Sequence, residues 1–161
     1  MLFYCEYAPS PVGKITIVSD GNAIIGLGIE GQKHFLYKIH KPLVKNEDLP
    51  LFSLCKNWLT AYFAGKNPGL EGIPLKPQGS FFQKKVWQAL LAIPYGKTVT
   101  YGDIARAVGC QSAQAVGGAV GKNPIAILIP CHRVVGKDGS LTGYAAGIDK
   151  KRILLELESI I

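Results

Sequence analysis

Cysteine is sparse in this sequence. Four occur in 161 residues, at positions 5, 55, 110 and 131, with no CxxC pair and no histidine at zinc-finger spacing, which argues against a disulfide framework and against thiolate zinc sites. Long apolar runs are missing too. None approaches the roughly 18 residues needed to span a bilayer, and Met1-Leu2-Phe3-Tyr4-Cys5-Glu6 lacks the basic start of a secretory signal. The expectation is a soluble, cytoplasmic chain with no membrane partner and free thiols. Acidic residues number 11 against 18 basic ones, for a formal charge of +7. From Ser80 onward ten Lys and Arg face five Asp and Glu, and all three arginines lie in that half. Such a bias suits a polyanionic partner, although basic surfaces also serve solubility alone.

With 48% hydrophobic residues the chain can bury a core, as one ordinary domain or two small ones sharing an interface. Residues 1–75 read as a small α/β or α+β unit. Apolar segments at 2–7, 13–19 and 23–29 are punctuated by Ser10-Pro11 and the hairpin turn Asp20-Gly21-Asn22. Apolar residues then recur at helical spacing over 51–63, and Gly65 stops the run. His34 and His40, in the polar stretch between, read as solvated bystanders. Residues 65–79 hold three prolines and four glycines and form a linker to a second unit over 80–161.

In that second unit Ser80 is placed to cap a helix over 81–92, with Phe82, Val86, Leu90 and Ile93 in one stripe. Thr100, with Asp103 three residues on, opens a helix over 100–108 that stops at Gly109, and a three-residue turn leads into another over 112–120. Two short helices joined this tightly have the spacing of a helix-turn-helix, which structural helix hairpins share. The second is nearly stripped of bulk: Ala113, Ala115, Gly117, Gly118, Ala119 and Gly121. Each mid-helix glycine costs about 1 kcal/mol relative to alanine, so roughly 2–3 kcal/mol is to be offset. Close packing against a neighbouring strand is one explanation, and close approach to a nucleic-acid groove the other. A strand over 125–129, a turn over 136–139, a loop over 141–147 and a helix over 148–159 complete the pattern. The last helix sets Ile153, Leu154, Leu157 and Ile160 or Ile161 inward, and carries Glu158 near its end, where the helix dipole disfavours an acid.

The chemistry concentrates in Ile129-Pro130-Cys131-His132-Arg133-Val134-Val135. A lone cysteine in an apolar run is most often a small buried hydrophobe. Here Pro130 biases Ile129 towards extended geometry and sets a turn that presents Cys131 to a cavity. His132 supplies a base near neutral pH, and a thiol needs one because the thiolate is the nucleophile. Neighbours in a strand point to opposite faces, so direct contact between the two and a bridging water stand as equal alternatives.

The heptapeptide resembles the active-site signature of the methylated-DNA–protein-cysteine methyltransferases, or O6-alkylguanine-DNA alkyltransferases. The likeness continues through Tyr101-Gly102-Asp103-Ile104-Ala105, Ala115-Val116-Gly117-Gly118-Ala119, Lys122-Asn123-Pro124 and Gly143-Tyr144 to Glu158. The resemblance implies an α/β ribonuclease-H-like N-terminal domain followed by a helix-turn-helix, winged-helix-like alkyltransferase domain. It implies a monomer that repairs double-stranded DNA containing O6-alkylguanine, with O4-alkylthymine as a second candidate substrate, without a cofactor. The helix carrying Gln114, Ala115 and Gly118 would lie in the minor groove, and the damaged base would be flipped out. Glu158 would orient His132, which would draw the proton of Cys131 through a water, and the thiolate would take the alkyl group once, irreversibly. Asn123 would act at the hinge between helix and active site, Tyr101 would contact the target nucleotide, and Tyr144 would line the base pocket. Val134 would offer a carbonyl to the guanine amine, while Pro130 and Arg133 would be structural. Some members hold a structural zinc near Cys5; Ile24 stands where a second cysteine would be, so no zinc is expected.

Two departures stand out. Gln114 replaces the arginine that usually precedes Ala-Val-Gly-Gly, and a turn one residue shorter comes before it. Ala145 stands where many relatives carry a serine that bonds O6. The alternative readings are a non-catalytic alkyltransferase-like damage binder, which would lack the cysteine, a helix-turn-helix regulator, which would not need Cys-His-Arg, and a cysteine hydrolase, which would turn over.

Overall fold

The first sheet buries side chains on both of its faces. In the computed structural model, which describes residues 1–36 and 39–161, strand β1 (Leu2–Tyr7) places Cys5 in the main core beside Ile15 and Ile17 of β2 (Ile15–Ser19), while Leu2 packs with Val18 and Ile25 in a second cluster. β3 (Ile24–Ile29) is buried along its whole length. The order is β3-β2-β1-β4, with β1 and β3 antiparallel to β2 and the short β4 (Leu43–Lys45) parallel to β1. The sequence reading missed β4, because it is three residues of half-exposed edge in a polar stretch and carries almost no apolar signal. Helix α1 (Pro50–Phe63) starts on a proline, which suits the first helical turn. It buries Phe52, Cys55, Leu59 and Tyr62 at the expected helical spacing.

β3 has no open edge. Ile24 bridges Leu75, with Ile24 N donating to Pro74 O and Lys76 N to Ile24 O, both at 2.8 Å. Further along, Leu27 N donates to Pro124 O and Ala126 N to Leu27 O, both at 2.9 Å. The proline-rich linker and the approach to Cys131 are thus pinned to one strand, which satisfies backbone groups that would otherwise be exposed. One hydrophobic cluster runs through both halves, from Ile15, Ile17 and Tyr62 to Trp87, Val116 and Leu154.

The helices of the second half start where their caps dictate. α2 (Phe81–Leu91) has a reciprocal Ser80/Gln83 capping box, and α3 (Tyr101–Val108) a Thr100/Asp103 one and a left-handed Gly109 at its end. α4 (Ala113–Gly121) follows, capped by Ser112 at Ala115 N, 3.0 Å. A parallel pair, β5 (Val99–Thr100) and β6 (Val134–Val135), ties the start of α3 to the segment after Cys131. α5 (Ile148–Leu157) closes the chain.

The expected strand over 125–129 does not form. After one bridge from Ile125 to Leu27 the chain coils into a buried turn organised by Asn123. The Asn123 side chain accepts from Ile125 N at 3.0 Å and donates to Ile129 O at 2.8 Å. Ile129 N in turn reaches Ile125 O at 3.1 Å. The aliphatic run records burial, not extension, and Ile127 sits at φ 70°, a position that costs a β-branched residue about 1–3 kcal/mol.

Candidate active site

Cys131 opens a single 3-10 turn, Cys131–Arg133, that follows this buried coil. It is 7% exposed and lies at the end of a cavity of about 210 Å³. Tyr101, Asn123, Tyr144 and Ala145, all expected at the site, line the same cavity. Burial pushes the Cys131 thiol above its ordinary pKa of 9.0; the Asn123 side chain, the Lys151 ammonium and Tyr144 pull it back. Tyr144 is driven well above 10, first by burial and then by the nearby thiol, so it remains a neutral phenol.

Behind the cysteine lies a closed ionic cluster. His132 Nε2 meets Glu158 Oε2 at 2.6 Å, and Arg133 reaches the same carboxylate through Nε at 2.8 Å and Nη2 at 3.2 Å. Tyr62 Oη donates to Oε2 at 2.5 Å and Gly96 N to Oε1 at 3.1 Å. Burial alone would raise the Glu158 pKa, yet hydrogen bonds from His132, Arg133 and Tyr62 outweigh it and hold the carboxyl at about 2. The imidazole is pushed below 6.5 by burial, against the pull of Glu158. An ionised carboxylate can only accept, so a neutral His132 carries its proton on Nε2 and leaves Nδ1 as the basic nitrogen. Nδ1 has no protein partner among the described residues. Arg133 also donates Nη1 to Ile93 O at 2.7 Å and lies over the Tyr95 ring.

Two members of this site escaped the sequence reading. Tyr62 comes from α1, 96 residues before Glu158, and nothing local marks it apart from other core aromatics. The expected inward face of α5 is correct for Leu154, and for Ile153 and Leu157, which pack partly buried against the core, but Ile161 is 56% exposed and the fully buried positions are Lys151, Leu154, Leu155 and Glu158. Those four follow the i, i+3, i+4, i+7 spacing of a helical face, which was the available signal. Lys151 Nζ donates to Val134 O at 2.6 Å, Thr142 O at 2.9 Å and Gly143 O at 3.3 Å, and burial lowers its pKa to about 8. It therefore staples the loop at the cavity mouth to β6. The Val134 carbonyl, expected to face a guanine amine, is engaged by Lys151 and retains one lone pair. Tyr101 Oη donates to Thr142 O at 3.1 Å, from the opposite side of that loop.

The remaining expected residues lie elsewhere. Gln114, Ala115 and Gly118 are on the exposed face of α4, outside the cavity. A Cβ added at Gly118 or Gly121 would meet no atom within 4 Å, so internal packing does not require glycine there. His34 is solvent-exposed, as expected, and lines the cavity with Gln32 and Lys33. Cys5 is buried, and burial raises its thiol to about 12. Among the described residues no group of His, Cys, Asp or Glu is arranged to hold a metal ion, and no helix is long and apolar enough to cross a membrane.

Comparison with known proteins agrees with this layout. Residues 3–77 match the model of the 6-O-methylguanine DNA methyltransferase ribonuclease-like domain, and residues 81–160 that of the DNA-binding domain of the same family. A methylated-DNA–protein-cysteine methyltransferase of Haemophilus influenzae is 45% identical over 158 residues, spanning 98% of this chain and 87% of the relative. A crystal structure of the Mycobacterium tuberculosis O6-methylguanine methyltransferase superposes with a TM-score of 0.86 at 43% identity, covering 98% of this chain and 93% of the other. Another, of M. tuberculosis OGT in complex with DNA, gives 0.83 at 42% identity, covering 98% and 91%. With both halves matched in order, Cys131 lining the cavity and the next residue, His132, bonded to Glu158, this chain belongs to the 6-O-methylguanine DNA methyltransferase family.

Proposed function

We propose that this protein reverses DNA alkylation directly, transferring one alkyl group from O6-alkylguanine to Cys131. The observation that carries the proposal is a buried thiol at the end of a base-sized cavity, backed by a neutral imidazole whose Nε2 is locked to an ionised carboxylate. The thiol proton passes through a water to His132 Nδ1. Sγ then forms a bond to the alkyl carbon as the bond from that carbon to O6 breaks, and the guanine oxygen takes up the electron pair. Ala145 brings no hydroxyl to the cavity, so we assign stabilisation of that oxygen to the backbone amide there and to the neutral Tyr144 phenol. The product is a thioether with no leaving path, and each molecule reacts once.

The base must leave the helix stack to reach a cysteine this deeply placed. The small-residue face of α4 is the surface we assign to the minor groove, with the basic second half supplying phosphate contacts. We further propose that the protein acts as a monomer in the cytoplasm, where its thiols stay reduced. Mass spectrometry after incubation with O6-methylguanine duplex tests the transfer: one methyl group on Cys131, never exceeding one per molecule, is expected. Repeated turnover, or methylation elsewhere with Cys131 unmodified, would refute it.

A further inference from the structure

Part of the cavity is lined by the N-terminal domain. Gln32, Lys33 and His34 line it opposite the catalytic half, about a hundred residues away along the chain from Cys131. This short wall is tied down at several points. Lys33 N donates to Ala145 O at 2.9 Å, a main-chain bond directly onto the cavity lip. Gln32 closes the end of β3, its N donating to Ile29 O at 2.9 Å and its Oε1 accepting from Ile29 N at 3.0 Å. Lys150, on α5, donates Nζ to Glu30 O.

The next two residues seat the wall on the sheet. Phe35 lies flat on Gly28, where an added Cβ would come 2.5 Å from its ring, and Leu36 lies on Gly26, where the corresponding distance is 3.1 Å. Glycine at these two strand positions makes room for a segment that folds back over β3. His34 and Leu36 both hold left-handed φ values, 62° and 61°, each costing on the order of 1 kcal/mol or more. Strain of this kind persists where surrounding contacts over-determine the conformation, and here Phe35 and Leu36 are held against Leu2, Val18 and Ile25 on the sheet while Lys33 is held to Ala145.

We propose that residues 32–34, seated by Phe35 and Leu36, are a specificity wall that restricts transfer to short O6 substituents; this rests on the transfer reading above. A cavity of about 210 Å³ is below the roughly 300–1,000 Å³ of sites that take drug-sized ligands. It suits one base with a small alkyl group. A benzyl group has to displace the wall, and the Ala145 bond and the glycine seat resist.

The test compares transfer to Cys131 from O6-benzylguanine and O6-methylguanine in the same oligonucleotide. Phe35→Ala removes the ring that seats the wall, and Gly28→Ala evicts it. In either variant the benzyl-to-methyl rate ratio is expected to rise about tenfold, the range in which a pocket discriminates one or a few methylene-sized groups. An unchanged ratio in a folded variant overturns the proposal. A measurement on the unaltered protein stands beside it: the Lys33 amide should lose hydrogen-exchange protection when Cys131 is benzylated and keep it when Cys131 is methylated. Equal protection in the two adducts also overturns the wall. Absence of any Cys131 adduct in the unaltered protein is a different failure, that of the transfer reading.

Discussion

Behind Cys131, charge answers charge: Glu158 meets His132 and Arg133 and takes two further hydrogen bonds from Tyr62 and Gly96. Beneath the loop that carries the cavity-lining Gly143, the buried ammonium of Lys151 meets only the carbonyls of Val134, Thr142 and Gly143. The rear cluster balances ions against each other and fixes one protonation state. The front one holds a cation on carbonyl dipoles beside a thiol: burial lowers the cation's pKa, and the cation in turn favours the thiolate. One wall orients the base, and the other shapes the space into which the nucleophile points.

Breaking the rear wall should have the largest effect. Glu158→Ala leaves Arg133 and His132 buried without their counter-ion, and a loss of about 3–5 kcal/mol in urea unfolding is expected. The contribution is pH-dependent with a defined sign. The folded pKa lies below the ordinary 4.5, at about 2, so the stabilisation is complete above pH 4.5 and disappears as the pH falls through 2. It is worth about 3 kcal/mol. The gap in unfolding free energy between the parent and Glu158→Gln should close over that window.

Tyr62→Phe removes one hydrogen bond to the same carboxylate and should cost about 1.5–3 kcal/mol. Because Tyr62 belongs to the N-terminal domain, its transfer rate also shows whether that domain helps to hold His132 in place; a decrease that tracks the stability loss is expected.

At the front wall, Lys151→Met should cost less, about 1–3 kcal/mol at pH 7, as three carbonyls lose their donor. The folded pKa of Lys151 is depressed from 10.5 to about 8, so between pH 8 and 10.5 the unfolded chain binds more protons and the parent gains stability with rising pH relative to the variant. A gap that instead narrows over this window would show that the ammonium is not desolvated. Single-turnover transfer should slow as well, since the thiolate loses a nearby cation.

The smallest structural effect is expected on the exposed face of α4. Gln114→Arg should change stability by no more than about 0.5 kcal/mol, yet speed transfer from duplex DNA, where a guanidinium stacks and hydrogen-bonds better than an amide. Transfer from the free modified base should not change. Equal rates on duplex would remove Gln114 from base extrusion.

Much of this arrangement was readable from short-range chemistry. Ser80, Thr100 and Ser112 mark helix starts because each side chain bonds the backbone three residues on, and Gly109 ends α3 because it tolerates a left-handed φ. The first three strands follow from short apolar segments punctuated by turns. The segment from Ile125 to Ile129 misled because burial on all sides erases periodicity, and its shape is set by the Asn123 side chain. Lys151 misled because a charged residue on a helix is ordinarily solvated, and its burial depends on a loop that offers it three carbonyls.

Neighbouring residues along the chain thus settled the identity of the nucleophile, the adjacent base and the bare helix beside them, since each expresses bonding within a few residues. Which tyrosine completes the cluster, which lysine staples the lip and which N-terminal loop lines the pocket depended on segments as far apart as Gln32, Tyr62 and Lys151. Those choices belong to the folded core, because a buried ion or hydrogen-bonding group is tolerated only where distant parts of the chain converge to satisfy it.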